Sequence, residues 1–176
     1  MTKTTKRAKN AAQASVAGVS PLILANCAQL SHMAQKDVTR LAKTASCRLV
    51  REGETLFRQG DAAAAVYVLL DGKIDLERTN DEGIRTTGDC AAAYATFGDV
   101  VLLGEETRRY TATASRDTMV VELPLEPVLK AIEKNQPQGV AWRGSIMARL
   151  HRQEPQDADT FAWRILDRLS QLTSAA

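Results

Sequence analysis

The spacing of apolar positions changes twice along this chain. Residues 1–18 are mostly Thr, Lys, Ala and Ser with no apolar period, which predicts a disordered tail. Ser20-Pro21-Leu22-Ile23-Leu24 then opens the ordered part. Behind Ser31, Ala34, Val38, Leu41 and Ala42 recur at helical spacing and predict an amphipathic helix over roughly 31–43, with Ser31 as its N-cap. From Ser46 to Leu123 the period shortens to that of strands. Candidate strands are Cys47–Val50, Thr55–Phe57, Ala65–Leu70, Lys73–Arg78, Arg85–Thr87, Tyr94–Phe97, Tyr110–Ala114 and Thr118–Leu123. Seven of the ten glycines lie between Gly53 and Gly104, whereas all five prolines lie outside that interval. Gly53 and Gly60 mark turns around a short strand, Asp71-Gly72 is a hairpin signal, and Asn80-Asp81-Glu82-Gly83 is another turn. Short strands at such close spacing predict a small barrel or a double-sheet roll.

Past Pro124 the helical period returns. Leu125, Val128, Leu129 and Ile132 share one face, and Pro137-Gln138-Gly139 interrupts it. Trp142, Ile146 and Leu150 stack on a second helix beside Met147; Pro155 interrupts again, and Asp157 can cap a third helix carrying Ala162, Ile165, Leu166, Leu169 and Leu172. These faces hold more apolar surface than a solvated tail needs, so they are expected to pack on the strands or on a second copy of the chain. The resulting division is a basic tail at 1–18, a strand-rich unit at 19–136 with a helix at each end, and helices at 137–176 that serve as lid, dimer or partner contact.

Composition narrows the class. The chain has 176 residues, 44% hydrophobic and 25% charged, ordinary for a globular domain with a real core. No apolar run reaches the roughly 18 residues of a membrane span, and the polar, basic N-terminus has no signal-peptide core. Cys27, Cys47 and Cys90 are far apart and odd in number, and with His32 and His151 they complete no metal spacing; reduced thiols and a cytoplasmic location follow. The net charge of +2 conceals an asymmetry, since Lys3, Lys6, Arg7, Lys9 and Lys36 all precede the first acid, Asp37. Basic tails can contact nucleic acid, but here the tail reads as a solvated end, and no basic recognition helix of a helix-turn-helix is visible.

The candidate chemistry lies in Phe97-Gly98-Asp99-Val100-Val101-Leu102-Leu103 and in Arg108-Arg109-Tyr110-Thr111-Ala112. A glycine turn leading into a short helix lets backbone approach a ligand and aims unpaired N–H groups at an anion. A guanidinium at Arg108 or Arg109 can add a charge-assisted fork to phosphate oxygens. Asp99 can accept a sugar hydroxyl. No base–nucleophile pair stands at a recognisable spacing, so the reading is non-enzymatic, with no metal and no cofactor. The arginines Arg143, Arg149 and Arg152 read as a solvated helix face. Trp142, Trp163 and Phe161 read as packing residues, and Cys90 lies near the loop without a pattern of its own.

Taken together, these segments resemble the cyclic nucleotide-binding domain family. The resemblance rests on Gly53–Asp61 with Tyr67–Leu76 behind it, on Phe97-Gly98-Asp99 through Leu103, and on Arg108 with Thr111 and Ala114, and covers roughly residues 19–153. It implies an α+β fold, an eight-stranded antiparallel β-roll (jelly-roll barrel) with flanking helices. It also implies a cyclic nucleotide, cAMP or cGMP, as ligand. Carried over, Arg108 takes the cyclic phosphate, Asp99 takes the ribose 2′-hydroxyl, and Gly98, Val100 and Val101 offer backbone contacts. Arg109 and Tyr110 stand where the family has small or hydroxylic residues, and an alternative alignment makes Arg109 the phosphate ligand. Asp99 replaces the family's usual Glu, and Asp89-Cys90-Ala91-Ala92-Ala93 departs from the family pattern. The expected function is a stand-alone cyclic nucleotide sensor acting through a protein partner or a homodimer. The alternative is a degenerate fold kept as an interaction scaffold without nucleotide.

Overall fold

The computed structural model describes residues 15–153. In chain order they form β1 (Ser15–Ala17), α1 (Pro21–Ala25), α2 (Gln35–Thr44), β2 (Ser46–Val50), β3 (Thr55–Phe57), β4 (Ala65–Asp71), β5 (Ile74–Thr79) and β6 (Arg85–Cys90). There follow β7 (Thr96–Phe97), a 3₁₀ helix over Asp99–Leu103, β8 (Thr111–Ala114), β9 (Thr118–Pro124), α3 (Leu125–Lys134) and α4 (Gln136–Gln153). All strand pairings are antiparallel. One sheet has the order β1-β2-β9-β4-β7 and the other β3-β8-β5-β6, giving the β-roll of an α+β fold.

The two sheets differ in how their side chains alternate, and the difference comes from what covers them. In the β3-β8-β5-β6 sheet the period is two: Ile74, Leu76, Ala112 and Ala114 are buried while Asp75, Glu77, Thr111 and Thr113 point away from the core. In β4 the run Ala65–Leu69 is buried without alternation, because α3 packs on β4 and β9 and closes the outer face. The helices are tied to each other by Asp37, buried in the first turn of α2. Its carboxylate accepts from Asn135 Nδ2 at 3.0 Å and from Arg40 at 3.2 Å, and Asn135 Oδ1 in turn accepts from the Ala34 amide at 3.1 Å. Asn135 thus ends α3 and holds the start of α2. Gln138 at the start of α4 donates to the Gln29 carbonyl at 3.0 Å.

Each of the eight expected strands coincides with an observed one within a few residues, and three findings depart from expectation. Ser15–Ala17, expected in the disordered tail, pairs with Ser46–Arg48 as β1; residues 1–14 lie outside the described part. The helix expected from 31 begins at Gln35, and Ser31 instead donates its hydroxyl to the Ala28 carbonyl. The side-chain cap occurs earlier, where Ser20 Oγ accepts from the Leu22 amide at 3.3 Å. Asp71-Gly72 is no hairpin, because β4 and β5 belong to different sheets and the turn is the corner between them. The true hairpin is β5–β6, closed by Asn80 Oδ1, which accepts from the Glu82 and Ile84 amides at 3.1 and 2.8 Å. The expected third helix, with Phe161 and Trp163, lies outside the described residues.

The corner depends on glycine for two reasons. Gly72 has φ +106°, and a Cβ there would sit 2.6 Å from the Thr118 Cα. Thr118 cannot move away, since its hydroxyl accepts from the Lys73 amide at 3.0 Å and donates to the Arg116 carbonyl at 2.7 Å. Gly72→Ala is therefore expected to lower stability by about 2–4 kcal/mol, the sum of a forbidden backbone region and overpacking against backbone, read as a drop in the urea unfolding midpoint at unchanged slope.

Candidate functional site

Phe97 ends β7, and the chain reverses at Gly98, whose φ of +66° lies in the left-handed region. The short helix that follows, Asp99–Leu103, is buried throughout and closes on Gly104, also left-handed. A cavity of about 300 Å³ opens beside this turn, at the lower end of the roughly 300–1,000 Å³ of small-molecule sites. The seven residues singled out in the sequence, Gly98, Asp99, Val100, Val101, Arg108, Arg109 and Tyr110, all stand in its wall. The rest of the wall is mainly apolar: Leu76, Cys90, Ala91, Ala92 and Ala95 from the β5–β7 region, with Arg149 and Gln153 reaching in from α4.

Arg108 is held in an aromatic cradle. Phe57, Tyr67 and Phe97 stack with centroids 5.3–6.4 Å apart, and the guanidinium carbon lies 4.3 Å from the Phe57 centroid and 5.3 Å from that of Tyr67. One Nη donates to the Gly98 carbonyl at 3.0 Å. The side chain is only 6% exposed, its Nε has no partner, and among the described residues it forms no ion pair with a carboxylate. Burial pulls the guanidinium below the usual arginine range; nearby Tyr67, then Glu122 and Asp61, only partly restore it. Arg109, the alternative phosphate ligand, is half-buried in the same cavity wall. The cradle also explains Gly98, where a Cβ would stand 2.8 Å from Arg108 Nη1, 3.3 Å from Tyr67 and 3.4 Å from Phe57.

Asp99 is fully buried and multiply bonded. Its Oδ2 accepts from the Thr96 hydroxyl at 2.8 Å and from the Trp142 indole at 3.1 Å, and its Oδ1 accepts from Arg149. Thr96 belongs to β7, but Trp142 and Arg149 belong to α4. Arg143 adds a bond from its Nε to the Leu102 carbonyl at 2.9 Å. Arg143 and Arg149 therefore do not form a solvated face: both are spent on the turn that carries Asp99. Trp142 is a packing residue with one polar task, and it stays out of the cavity wall.

Residues 47–135, half of the chain, match the Cyclic nucleotide-binding domain family. The chain belongs to this family. The Cyclic AMP receptor protein of Thermus thermophilus is 34% identical over 87 residues, 49% of this chain and 40% of that protein. The cAMP-dependent protein kinase regulatory subunit of Yarrowia lipolytica is 27% identical over 118 residues, 61% of this chain and 30% of that protein. The chain thus spans less than half the length of these curated relatives. The sensor domain of the transcriptional regulator DNR from Pseudomonas aeruginosa shares the fold, with a TM-score of 0.65 at 20% identity, covering 77% of this chain and 91% of that domain. The matched span of the cyclic nucleotide-binding domain ends at the close of α3, so the partners that α4 gives to Asp99 lie beyond it.

Among the described residues no group of His, Cys, Asp and Glu could hold a metal ion, and no helix is long and apolar enough to cross a membrane. Cys90 faces the cavity, yet burial pushes its thiol from 9.0 up to about 11, with Arg149 opposing and Asp99 and Asp89 adding to the rise. Its thiolate is thus scarce at neutral pH. Alkylation of native Cys90 by iodoacetamide, followed by mass spectrometry, should keep accelerating with pH beyond 9 and level only near pH 11, whereas the unfolded chain levels near 9. Gly98→Ala should push Arg108 out of its cradle at a cost of about 1–3 kcal/mol, from the positive φ and the close contacts, measured by chemical denaturation.

Proposed function

We propose that this chain is a non-enzymatic sensor that binds a cyclic nucleotide, cAMP or cGMP, in the cavity beside Gly98 and passes the signal to a protein partner or a second copy of itself. One observation carries the reading: Arg108 is a buried cation with an unsatisfied Nε and no acidic partner among the described residues, standing in the wall of an open cavity. A guanidinium withdrawn from water is costly unless an anion meets it, and a phosphate fits its fork. Membership of the cyclic nucleotide-binding domain family supports a cyclic phosphate as that anion. Gly98, Val100, Val101, Arg109 and Tyr110 border the same space, and the apolar wall suits a base. A pocket filled by Tyr110 or Trp142 would favour the scaffold alternative; Tyr110 stands in the cavity wall and Trp142 does not.

The outward face of α4, with Val140, Ala141, Gly144 and Ala148 exposed, offers the surface for a partner. The same helix touches the phosphate turn through Arg143, Trp142 and Arg149, so a ligand that favours one arrangement of the turn also biases α4.

Calorimetric titration of nucleotide-stripped protein with cAMP and cGMP tests the reading. Saturable binding is expected, and Arg108→Ala should weaken it about 10- to 100-fold, the loss of a charge-assisted hydrogen bond of roughly 1.5–3 kcal/mol. Affinity unchanged in Arg108→Ala, or no binding at millimolar ligand by folded protein, would overturn it.

A further inference from the structure

In the family resemblance Asp99 is the acid that meets the ribose 2′-hydroxyl. The structure gives that carboxylate other work. Both oxygens already accept, from three donors arriving from two elements: Thr96 on β7, and Trp142 and Arg149 on α4. The carboxylate is fully buried, and Arg149 is its counter-charge. No part of that side chain is exposed, so a ribose hydroxyl could reach Oδ1 only by displacing groups packed on it, Arg149 among them. Losing Arg149 would exchange an ion pair for a bond from a neutral donor and strand a buried carboxylate without its cation. The aspartate arm, one methylene shorter than glutamate, also keeps the carboxylate close to its own turn.

The other contacts of α4 run in the same direction. Arg143 bonds to the Leu102 carbonyl at 2.9 Å, and at the far end of the helix the Gln153 amide nitrogen lies 3.0 Å from where a Cβ of Gly88 would stand. Gly88 on β6 therefore leaves room for the helix end. Arg149 and Gln153 then form part of the cavity wall as a lid already drawn over the site.

We propose that Asp99 is a positioning residue that anchors α4 against the phosphate turn, and that the site leaves the 2′-hydroxyl of its ligand unread, so that it takes 2′-deoxy cyclic nucleotides as well as ribonucleotides. The second half rests on the nucleotide reading above; the first half does not. The test has two arms on the full chain. Calorimetric titration with cAMP and with 2′-deoxy-cAMP should give dissociation constants within about threefold of each other; a tenfold or greater loss for the deoxy compound would show that the hydroxyl is read and overturn the proposal. Amide hydrogen exchange without nucleotide should show residues 139–150 exchanging at least threefold faster in Asp99→Asn and in Arg149→Gln, with no further gain in the double variant. Exchange at the wild-type rate in both single variants would overturn the anchor. If neither nucleotide binds while exchange responds as expected, the nucleotide reading fails and takes the 2′-hydroxyl claim with it, and the anchor stands.

Discussion

A buried guanidinium that forms no ion pair among the described residues is the constraint from which the rest of this site follows. Arginine loses much of its hydration when it is 6% exposed, and the cost must be offset locally. Here the close contacts are ring faces and one carbonyl, while Glu122 and Asp61 act without pairing with it. Phe57 lies on β3 in one sheet, while Tyr67 and Phe97 lie on β4 and β7 in the other. The two sheets of the roll thus meet around one side chain. An acid in the same place would have neutralised Arg108 and closed the question of a ligand. Aromatic faces and a carbonyl support the cation yet leave its Nε unfilled.

Asp99, nine residues earlier, is the opposite case. It is a buried charge whose needs are met inside the protein, by a hydroxyl, an indole and a guanidinium. Removing one partner of such a pair typically costs about 3–5 kcal/mol, because the other charge is left uncompensated. The short segment between Phe97 and Tyr110 therefore holds one charge facing into a cavity and another facing a helix. The first leaves a cation at a cavity; the second ties the turn to α4.

The strand pattern was legible because the runs are short and β-rich and most are closed by a glycine turn, as at Gly53, Gly60, Gly72, Gly83 and Gly98. The candidate site was legible as a set, since the seven residues singled out from Gly98 to Tyr110 lie on one cavity wall. What could not be read was long-range. Asp71-Gly72 has the composition of a hairpin turn, and only the sheet order shows that it joins two sheets. Ser15–Ala17 has no apolar period, and becomes a strand because β2 offers it a free edge. Arg149 looks like any arginine on a polar helix face; its meaning comes from an acid fifty residues away. A hint did exist in Trp142, seven residues before it, since a buried indole N–H needs an acceptor.

The pairing of β2 with β9, Ser46 opposite Glu122 and Val50 opposite Thr118, has a consequence for how the chain is born. During synthesis β2 emerges about seventy residues before the strand that completes it, an interval of several seconds at roughly 5–20 residues per second. Through that interval β2 has an open edge, the kind of surface on which nascent chains join one another. Its composition suits the wait. Only Val50 is fully buried in the finished fold, and Ser46 and Arg48 interrupt the apolar positions. A polar, charged strand is a poor template for a neighbour on the same ribosome track. The strand with the continuous apolar run, β4, comes later, and β9 finds it already made.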